Sequence, residues 1–553
     1  MAAEVHRAIG GAGTGKTRLI LDRLSEARDD LGLATDEIGF CTFTRAGRAE
    51  IAERAADAWG VASDDLTKGG WFRTAHSIAH RCCRVEEGQL LQGQEGDEWL
   101  SGVVGGKVHT RTDARGERTY VADGDDTIPL AMKAWELARS RMESLDATLR
   151  RWMTMGEACP EQQAAASIVR RYELAKVREG RLDFTDMIAR FAGVRFTLEG
   201  PVSIDPVGDA PEHLRVLAVD EAQDSSQLVD RVCRRLASSG RIERVWLCGD
   251  PYQSIHSFAG GDYNLFLAWK AEEYTMPQSY RCPSEILALG ERCLRQMHRG
   301  YRDRGILPAA PGGRISSAAS AQEAISRINA DSSVLILGRC TFSLEDYEAE
   351  LKARRLPYQW VDKGHAAVQL SGYGSLWSLQ HGQACLGESL ANAVGMISVK
   401  NKYGSMLTRG AKAEWKDGRK SHLDIVRPTD GDYELAGFEP TLRELIRSGK
   451  WVDALEPRYQ ERASMWHGVA SQHGEELANS PPIRLSTIHS AKGLEADDVV
   501  LSSITSPSIE RGRETLSEIH DEECRVAYVA VTRAKRSVTF VEDGFRCRME
   551  LPL

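Results

Sequence analysis

Six apolar runs recur along the chain, each followed by a polar or glycine-containing turn: EIGFCTFT (37–44), LRVLAVDEA (214–222), RVWLCGDP (244–251), VLILGR (334–339), DVVLSSI (498–504) and SVTFVED (537–543). Short apolar runs bounded by turn residues read as buried strands. Between them lie stretches of helical character, RLILDRL (18–24) and, longest, IPLAMKAWELARSRMESLDATLRRWM (128–153). Alternating strands and helices predict an α/β fold of parallel sheets wrapped by helices, and the strands are numerous enough for two such domains.

The spacing adds an organisational expectation. Some 204 positions separate Lys16 from Asp220, too many for one compact sheet domain, so a helical segment is inserted early. The expected layout is a first domain from 1–83 and 181–280 with an insertion at 84–180, then a second domain from 281–364 and 481–553 with an insertion at 365–480. Within the first insertion, GGKVHTRTDARGERTYVADGDD (105–126) reads as a mobile polar excursion, and PAAPGGRISSAAS (308–320) and RPTDGDYELAGFEP (427–440) read as linkers. No internal repeat or low-complexity tract is evident.

Composition narrows the class. With 553 residues, 42% of them hydrophobic, the chain has core material for several domains. It carries no apolar run of membrane-spanning length, and MAAEVHRAIGG lacks the pattern of a signal peptide, so a cytoplasmic location is expected. A net charge of -9 argues against wholesale coating of nucleic acid, although a local groove can be positive on an acidic protein. The 12 cysteines include no C-x-x-C pair, and adjacent Cys82 and Cys83 do not make a zinc knuckle, so neither a metal site nor a disulfide framework is indicated. Most are expected to be buried thiols, and most of the 12 tryptophans to be packing residues.

The chemistry concentrates in two segments. GGAGTGKT, with Gly10, Gly11, Ala12, Gly13, Thr14, Gly15, Lys16 and Thr17, fits a phosphate loop in a strand–loop–helix context. Backbone N–H groups and the positive helix end would face phosphates, Lys16 would reach the outer ones, and Thr17 would hold magnesium. VDEAQD (219–224) places Asp220 and Glu221 where an apolar strand ends, from which carboxylates face a nucleotide in a parallel sheet. Asp220 would bind magnesium through water, and Glu221 would orient and deprotonate the attacking water. Together the segments point to a nucleic-acid-driven ATPase using ATP and Mg2+.

Further segments follow in a definite order: TFTRAGRAEI from Thr42, RTAHSIAHR from Arg73, LDFTDM from Leu182, GDPYQSIHSFAGG from Gly249, QSYR ending at Arg281, STIHSAKGLE from Ser486 and AYVAVTRAK from Ala527. The ordered set resembles helicase superfamily one, specifically the UvrD, Rep and PcrA branch, over nearly the whole chain. The resemblance implies two RecA-like domains, each with a mainly helical insertion, and 3′ to 5′ movement on single-stranded DNA. It implies that Arg281 and Arg533 reach the terminal phosphate from the second domain and that Gln253 couples that phosphate to the DNA face. Tyr280 would stack on adenine, Glu495 would contact ribose, and Arg18 would be another nucleotide contact.

For DNA, Phe43, His256, Phe258 and His489 occupy the family's base-contacting positions, with Thr44, Arg73, Thr74 and His76 as backbone contacts; single strands are held by stacking on aromatic rings together with phosphate contacts. The chain departs from the family in carrying Phe258 and Ala259 where the third motif usually has tryptophan and arginine, and Ala496 where an aromatic follows KGLE. In the second insertion Arg409 and Lys412 form a basic turn that solvation explains as well as duplex contact. The expected activity is that of an ATP-dependent DNA helicase on single strands and single/double-strand junctions, acting as a monomer because one chain holds both halves of the ATP site. A protein-stripping translocase and a silent DNA-binding subunit are the alternatives.

Overall fold

The computed structural model describes residues 3–43, 45–83, 85–86, 88–112, 118–122, 124, 126–329, 332–361, 367–420, 422–542 and 549. Two compact units share the chain. The first runs to Ile315 and takes in Thr505–Ser537, and the second comprises Ser316–Ile504 and returns at Val538.

Six strands form the sheet of the first unit: β1 (Glu4–Gly10), β2 (Ile38–Thr42), β3 (Trp71–Thr74), β4 (Val216–Val219), β5 (Arg244–Gly249) and β6 (Glu272–Met276). They lie in the order β6-β1-β5-β4-β2-β3, and every pairing is parallel. In β2 and β4 every residue is buried, because a parallel sheet is covered by helices on both faces and alternate side chains enter two cores. On one face Phe40, Val216, Ala218 and Cys248 pack with Ile20 and Leu24 of the helix Lys16–Leu31 and with Ile51 and Ala52. On the other, Cys41, Leu217, Val219, Val245 and Leu247 meet Ile78, Met187, Phe191, Leu228 and Val232.

The early insertion builds a core of its own. Helices Gly93–Val104, Thr127–Ser140, Leu145–Met155 and Gln162–Glu179 bury Leu100, Trp135, Leu149, Trp152, Ile168 and Tyr172 together. The segment expected to be a mobile polar excursion instead carries an antiparallel hairpin, Val108–Thr112 with Arg118–Ala122, because Val108 and Tyr120 alternate inward onto that helical core. Where the insertion rejoins the sheet domain, Arg139 and Lys176 are buried against Asp183 and Asp186, with N···O distances of 2.7 and 2.9 Å to Asp183. The Arg139 and Lys176 cations hold Asp183 well below the usual carboxylate range against the opposing cost of burial.

The second unit centres on a six-stranded sheet of β7 (Arg314–Ala318), β8 (Val334–Gly338), β9 (Tyr358–Trp360), β10 (Ile483–Thr487), β11 (Ala496–Ser502) and β12 (Ala534–Val541), in the order β7-β12-β11-β8-β10-β9. β8 runs parallel to both β10 and β11. Its insertion has a separate core in which Tyr373, Trp451 and Trp466 are fully or almost fully buried. Neither expected linker is simply a linker: 308–320 contains β7, and 427–440 contains the helix Asp430–Ala436, whose Tyr433 and Ala436 enter that core. Among the described residues no helix is long and apolar enough to cross a membrane. The fold is α/β, with two sheets of the RecA-like kind and a mainly helical insertion in each.

Candidate functional site

β1 ends at Gly10, and Gly15 caps the following helix Lys16–Leu31 without any side-chain hydrogen bond to the cap. Gly13 and Gly15 have φ of 68° and 79°, the left-handed backbone that only glycine adopts without strain. The helix therefore presents its first N–H groups uncapped, the arrangement that binds an anion. The Lys16 ammonium lies over the loop and donates to the carbonyls of Gly10 and Gly11 at 3.3 and 3.1 Å.

A second layer grips the loop from outside the motif. Tyr280 donates its N–H to the Gly13 carbonyl at 2.8 Å, the Ser279 hydroxyl donates to Ala12 O at 2.8 Å, and the Ala12 N–H donates to the Tyr528 hydroxyl at 3.1 Å. A Cβ on Gly13 would lie 2.3 Å from Arg281 Cβ. The Tyr280 ring is 75% exposed beside the loop, so its face is open to a ligand. Arg18 is exposed on the helix, 4.0 Å from Asp22.

Asp220 and Glu221 follow β4 directly, and Asp220 is only 8% exposed. Burial, with the Glu221 carboxylate beside it, pushes Asp220 up, against the opposing effects of the Glu221 N–H, Lys16 and the Thr17 hydroxyl. The Thr17 hydroxyl and Asp220 carboxylate make a hard-oxygen pair, the donor set that suits Mg2+. A buried carboxylate whose charge is costly gains most from such a cation. Glu221 has φ 51°, a strained setting for a non-glycine residue of the kind found at functional sites. Gln223 supports it, donating to Glu221 Oε2 at 2.5 Å while accepting the Asp250 N–H at 3.0 Å.

Asp250 is the hub of the site and is fully buried. Its carboxylate accepts from Arg304 at 2.6 Å, Gln253 Nε2 at 2.8 Å, the Tyr252 N–H at 3.0 Å and the Tyr528 hydroxyl at 3.4 Å. Arg533 donates to Gln253 Oε1 at 3.3 Å and to Val529 O at 2.9 Å. Burial and the neighbouring Arg281 guanidinium push Arg533 down to about 10. Both arginines, expected on the second domain, lie in segments that fold with the first unit, because the helix Ser517–Val531 packs along the helix Ser284–Arg295. Glu495 belongs to the second unit, where its carbonyl accepts from Arg484 at 2.6 Å.

The residues expected to meet DNA divide between the units. Phe43 follows β2, Thr74 ends β3 and His76 lies just beyond it, at neighbouring C-terminal strand ends where Thr42 pairs with Thr74. Thr44 lies outside the described residues. His76 is exposed, whereas Arg73 is turned inward and donates to Gly70 O, Ser77 Oγ and Lys68 O at 3.0, 3.0 and 2.9 Å. His256 and Phe258 pair edge to face at 5.7 Å, and Phe258 is 41% exposed. His489 is in the second unit and is buried.

Comparison with known proteins agrees with this arrangement. The UvrD/REP helicase N-terminal domain matches residues 4–273, and the UvrD-like helicase C-terminal domain matches residues 384–542. The chain belongs to the UvrD/Rep helicase family. Among relatives of this helicase, "ATP-dependent DNA helicase UvrD2" of Mycobacterium tuberculosis (strain ATCC 25618 / H37Rv) is 23% identical over 568 residues, covering 95% of this chain and 75% of its own length. "ATP-dependent DNA helicase PcrA" of Leuconostoc citreum is 22% identical over 627 residues, covering 97% and 79%. "DNA helicase II" of Escherichia coli (strain K12) is 24% identical over 293 residues, covering 51% and 37%. A solved structure, "Complex structure of Arterivirus nonstructural protein 10 (helicase) with DNA", aligns with 98% of this chain and 61% of its own at a TM-score of 0.31 and 10% identity.

Several residues that organise this helicase's site escaped sequence reasoning. Asp250 and Tyr528 sit inside recognisable motifs but carry no separate signal, since their roles arise from who reaches them. Arg304 and Ser279 have no signal at all, because one lies outside every motif and the other acts through a single hydroxyl. In the second insertion Lys412 is committed to Glu456 at 2.7 Å and Gly395 O at 3.1 Å. Arg409 alone of that pair is exposed.

Proposed function

We propose that the chain hydrolyses ATP with Mg2+ and uses the cycle to move 3′ to 5′ along single-stranded DNA and separate duplex at junctions. The observation that carries this reading is the convergence, at the C-terminal ends of the interior strands β1, β4 and β5, of an uncapped phosphate loop, a buried Asp220 against Thr17, and a Gln253 held between Asp250 and Arg533. Each group has a task in phosphoryl transfer, where the protein mainly positions reactants and neutralises charge.

The loop N–H groups and Lys16 bind the phosphates. Thr17 and Asp220 would hold Mg2+, whose chemistry is to neutralise phosphate charge. Glu221, strained and oriented by Gln223, aligns water and takes its proton. Arg281, half-buried, and Arg533, buried beside it, supply the positive charge that an anionic transition state requires; comparable arginines are worth about 10³ to 10⁵ in rate elsewhere. Gln253 reports the state of that site toward His256 and Phe258 on the same segment. Tyr280 offers an open face to a base, and Glu495 contacts ribose. The pair His256–Phe258 offers stacking surface for bases in the first unit, each stacked base contributing about 1–3 kcal/mol, and Phe43 and, in the second unit, His489 are further base contacts in this reading.

The test is steady-state ATP hydrolysis with and without single-stranded DNA, with Glu221→Gln protein as the blank. Stimulated hydrolysis above the blank, followed by unwinding of 3′-tailed but not 5′-tailed duplex, is the expected result. Hydrolysis no faster than the blank under either condition would discard the motor reading in favour of a silent DNA-binding subunit. Stimulated hydrolysis with loss of tailed-duplex unwinding would favour a protein-stripping translocase.

A further inference from the structure

Three groups of imidazole and carboxylate donors come close enough to share an ion among the described residues: Glu173, Asp183 and Asp186; Glu4, His6 and Glu272; and His298, His520 and Asp521. The first already holds cations of the protein's own, since Lys176 Nζ lies 2.9, 2.9 and 2.6 Å from its three carboxylates and Arg139 lies beside them. The second is a surface arrangement in which His6 stacks on Trp246 at 4.3 Å between two exposed glutamates. The third differs in kind. It combines two imidazoles with one buried carboxylate, and it joins two parts of the chain more than 200 residues apart.

The geometry of that third group is prepared by the backbone. Asp521 Oδ1 accepts the N–H of His298 at 2.6 Å, and Oδ2 accepts the N–H of Arg299 at 3.2 Å. The segment after the helix Ser284–Arg295 is thereby fixed against the helix Ser517–Val531. In consequence the His298 and His520 rings stack with centroids 4.2 Å apart and planes within 16°. The potential ligand atoms of His298, His520 and Asp521 all lie within 4.8 Å of one another. His520 Nδ1 is 3.5 Å from Asp521 Oδ1 and 3.8 Å from the Sγ of Cys524, one helical turn further on.

We propose that His298, His520 and Asp521 form a binding site for a divalent transition-metal ion, with zinc the best match, and that the Cys524 thiol is its fourth donor. Imidazole nitrogen, carboxylate oxygen and thiolate sulfur are the ligand types zinc takes in four-coordinate sites, whereas magnesium and calcium take oxygen. Metal–ligand bonds of about 2.0–2.3 Å require the donors to close in by roughly an ångström, and because imidazole lone pairs lie in the ring plane one ring must also turn out of the 16° stack; rotation of the exposed His298 about its side-chain bonds supplies both movements. Exposure of His298 also provides the entry path. Cys524 binds as the thiolate, its proton being released as the metal enters. The consequence is a clamp between the 298–299 segment and the helix that carries Tyr528, independent of whether the chain hydrolyses ATP.

The probe is Co2+ added to chelator-treated, desalted full-length protein, read by visible absorption and then by displacement with Zn2+. The expected result is a saturating set of four-coordinate d–d bands at one equivalent, removed by one equivalent of Zn2+. His298→Ala and His520→Gln should each weaken binding by about tenfold or more, a loss of the size that even supporting ligand contacts produce. His298 is exposed, so its variant tests the ligand without threatening the fold, and circular dichroism verifies both. Absence of d–d bands up to millimolar Co2+, or bands undiminished in the His298→Ala/His520→Gln protein, would overturn the site. Cys524→Ser should abolish the sulfur-to-cobalt charge-transfer band; an unchanged spectrum in that variant would overturn the fourth-donor assignment.

Discussion

Replacing Arg304 by methionine removes the cation that faces Asp250, and the structure sets the size of the effect. Asp250 is fully buried and Arg304 is 8% exposed. After the change Asp250 keeps three donors, the Tyr252 N–H at 3.0 Å, Gln253 Nε2 at 2.8 Å and the Tyr528 hydroxyl at 3.4 Å, but loses the one close cation it has among the described residues, at 2.6 Å. Leaving one charge of a buried pair uncompensated costs about 3–5 kcal/mol. Methionine keeps the length of the apolar stem but removes the guanidinium, whose central carbon lies 4.5 Å from the Tyr252 ring centroid, so the cost includes that cation–π contact as well as the ion pair. At about 2–4 °C per kcal/mol for a cooperative unit of this size, the melting temperature should fall by about 6 °C or more. Asp250→Asn leaves Arg304 paired with Glu291 at 3.2 Å and should destabilise by less. The double variant Asp250→Asn/Arg304→Met removes both charges and should regain about 2–3 kcal/mol relative to the sum of the single changes. The assay is thermal denaturation of the four proteins in parallel, with ATP hydrolysis as the second readout, since Asp250 also orients Gln253. Simple additivity of the two losses would refute the pairing argument.

Three other outcomes follow from the same geometry. Asp220 is raised from 3.8 to about 7 in the folded protein, so its protonated form stabilises the fold fully below the unfolded value, and that stability is lost as pH rises through about 7. Asp220→Asn should remove this pH dependence in chelator, about 3 kcal/mol between pH 5 and 7, in melting curves from pH 5 to 8.5; an unchanged slope would reject the assignment. Gly13→Ala introduces a side chain at φ 68° and 2.3 Å from Arg281 Cβ, so it should cost about 1–3 kcal/mol and eliminate binding of a fluorescent ATP analogue in titrations. Trp466→Ala empties a 2% exposed site in the core of the second insertion and should cost about 3–5 kcal/mol with nucleotide affinity unchanged; weakened nucleotide binding would contradict the independence of that core.

What the sequence determined by itself was whatever depends on local pattern. Apolar runs wholly buried in a parallel sheet, such as those of β2 and β4, announce themselves because both faces of the strand need hydrophobic side chains. The phosphate loop was equally legible, because its left-handed turns demand glycine at Gly13 and Gly15. β6, Glu272–Met276, left no such mark. It is a largely exposed edge strand, EEYTM, and is a strand only because β1 offers it backbone partners. The paired strands 108–112 and 118–122 carry no strand signal for a similar reason, since they are held by Val108 and Tyr120 reaching a core assembled from distant helices.

Only the tertiary structure decided which side chains share an environment. Asp250, Arg304 and Tyr528 are far apart in sequence and form one hydrogen-bonded centre. Arg73, which the motif offers to DNA, spends its donors within its own turn. His298 and His520 carry no motif and become neighbours only because Asp521 binds the backbone at 298 and 299. Buried charge and hydrogen bonding are satisfied by whatever the fold brings within about 3 Å, and that distance is independent of separation along the chain.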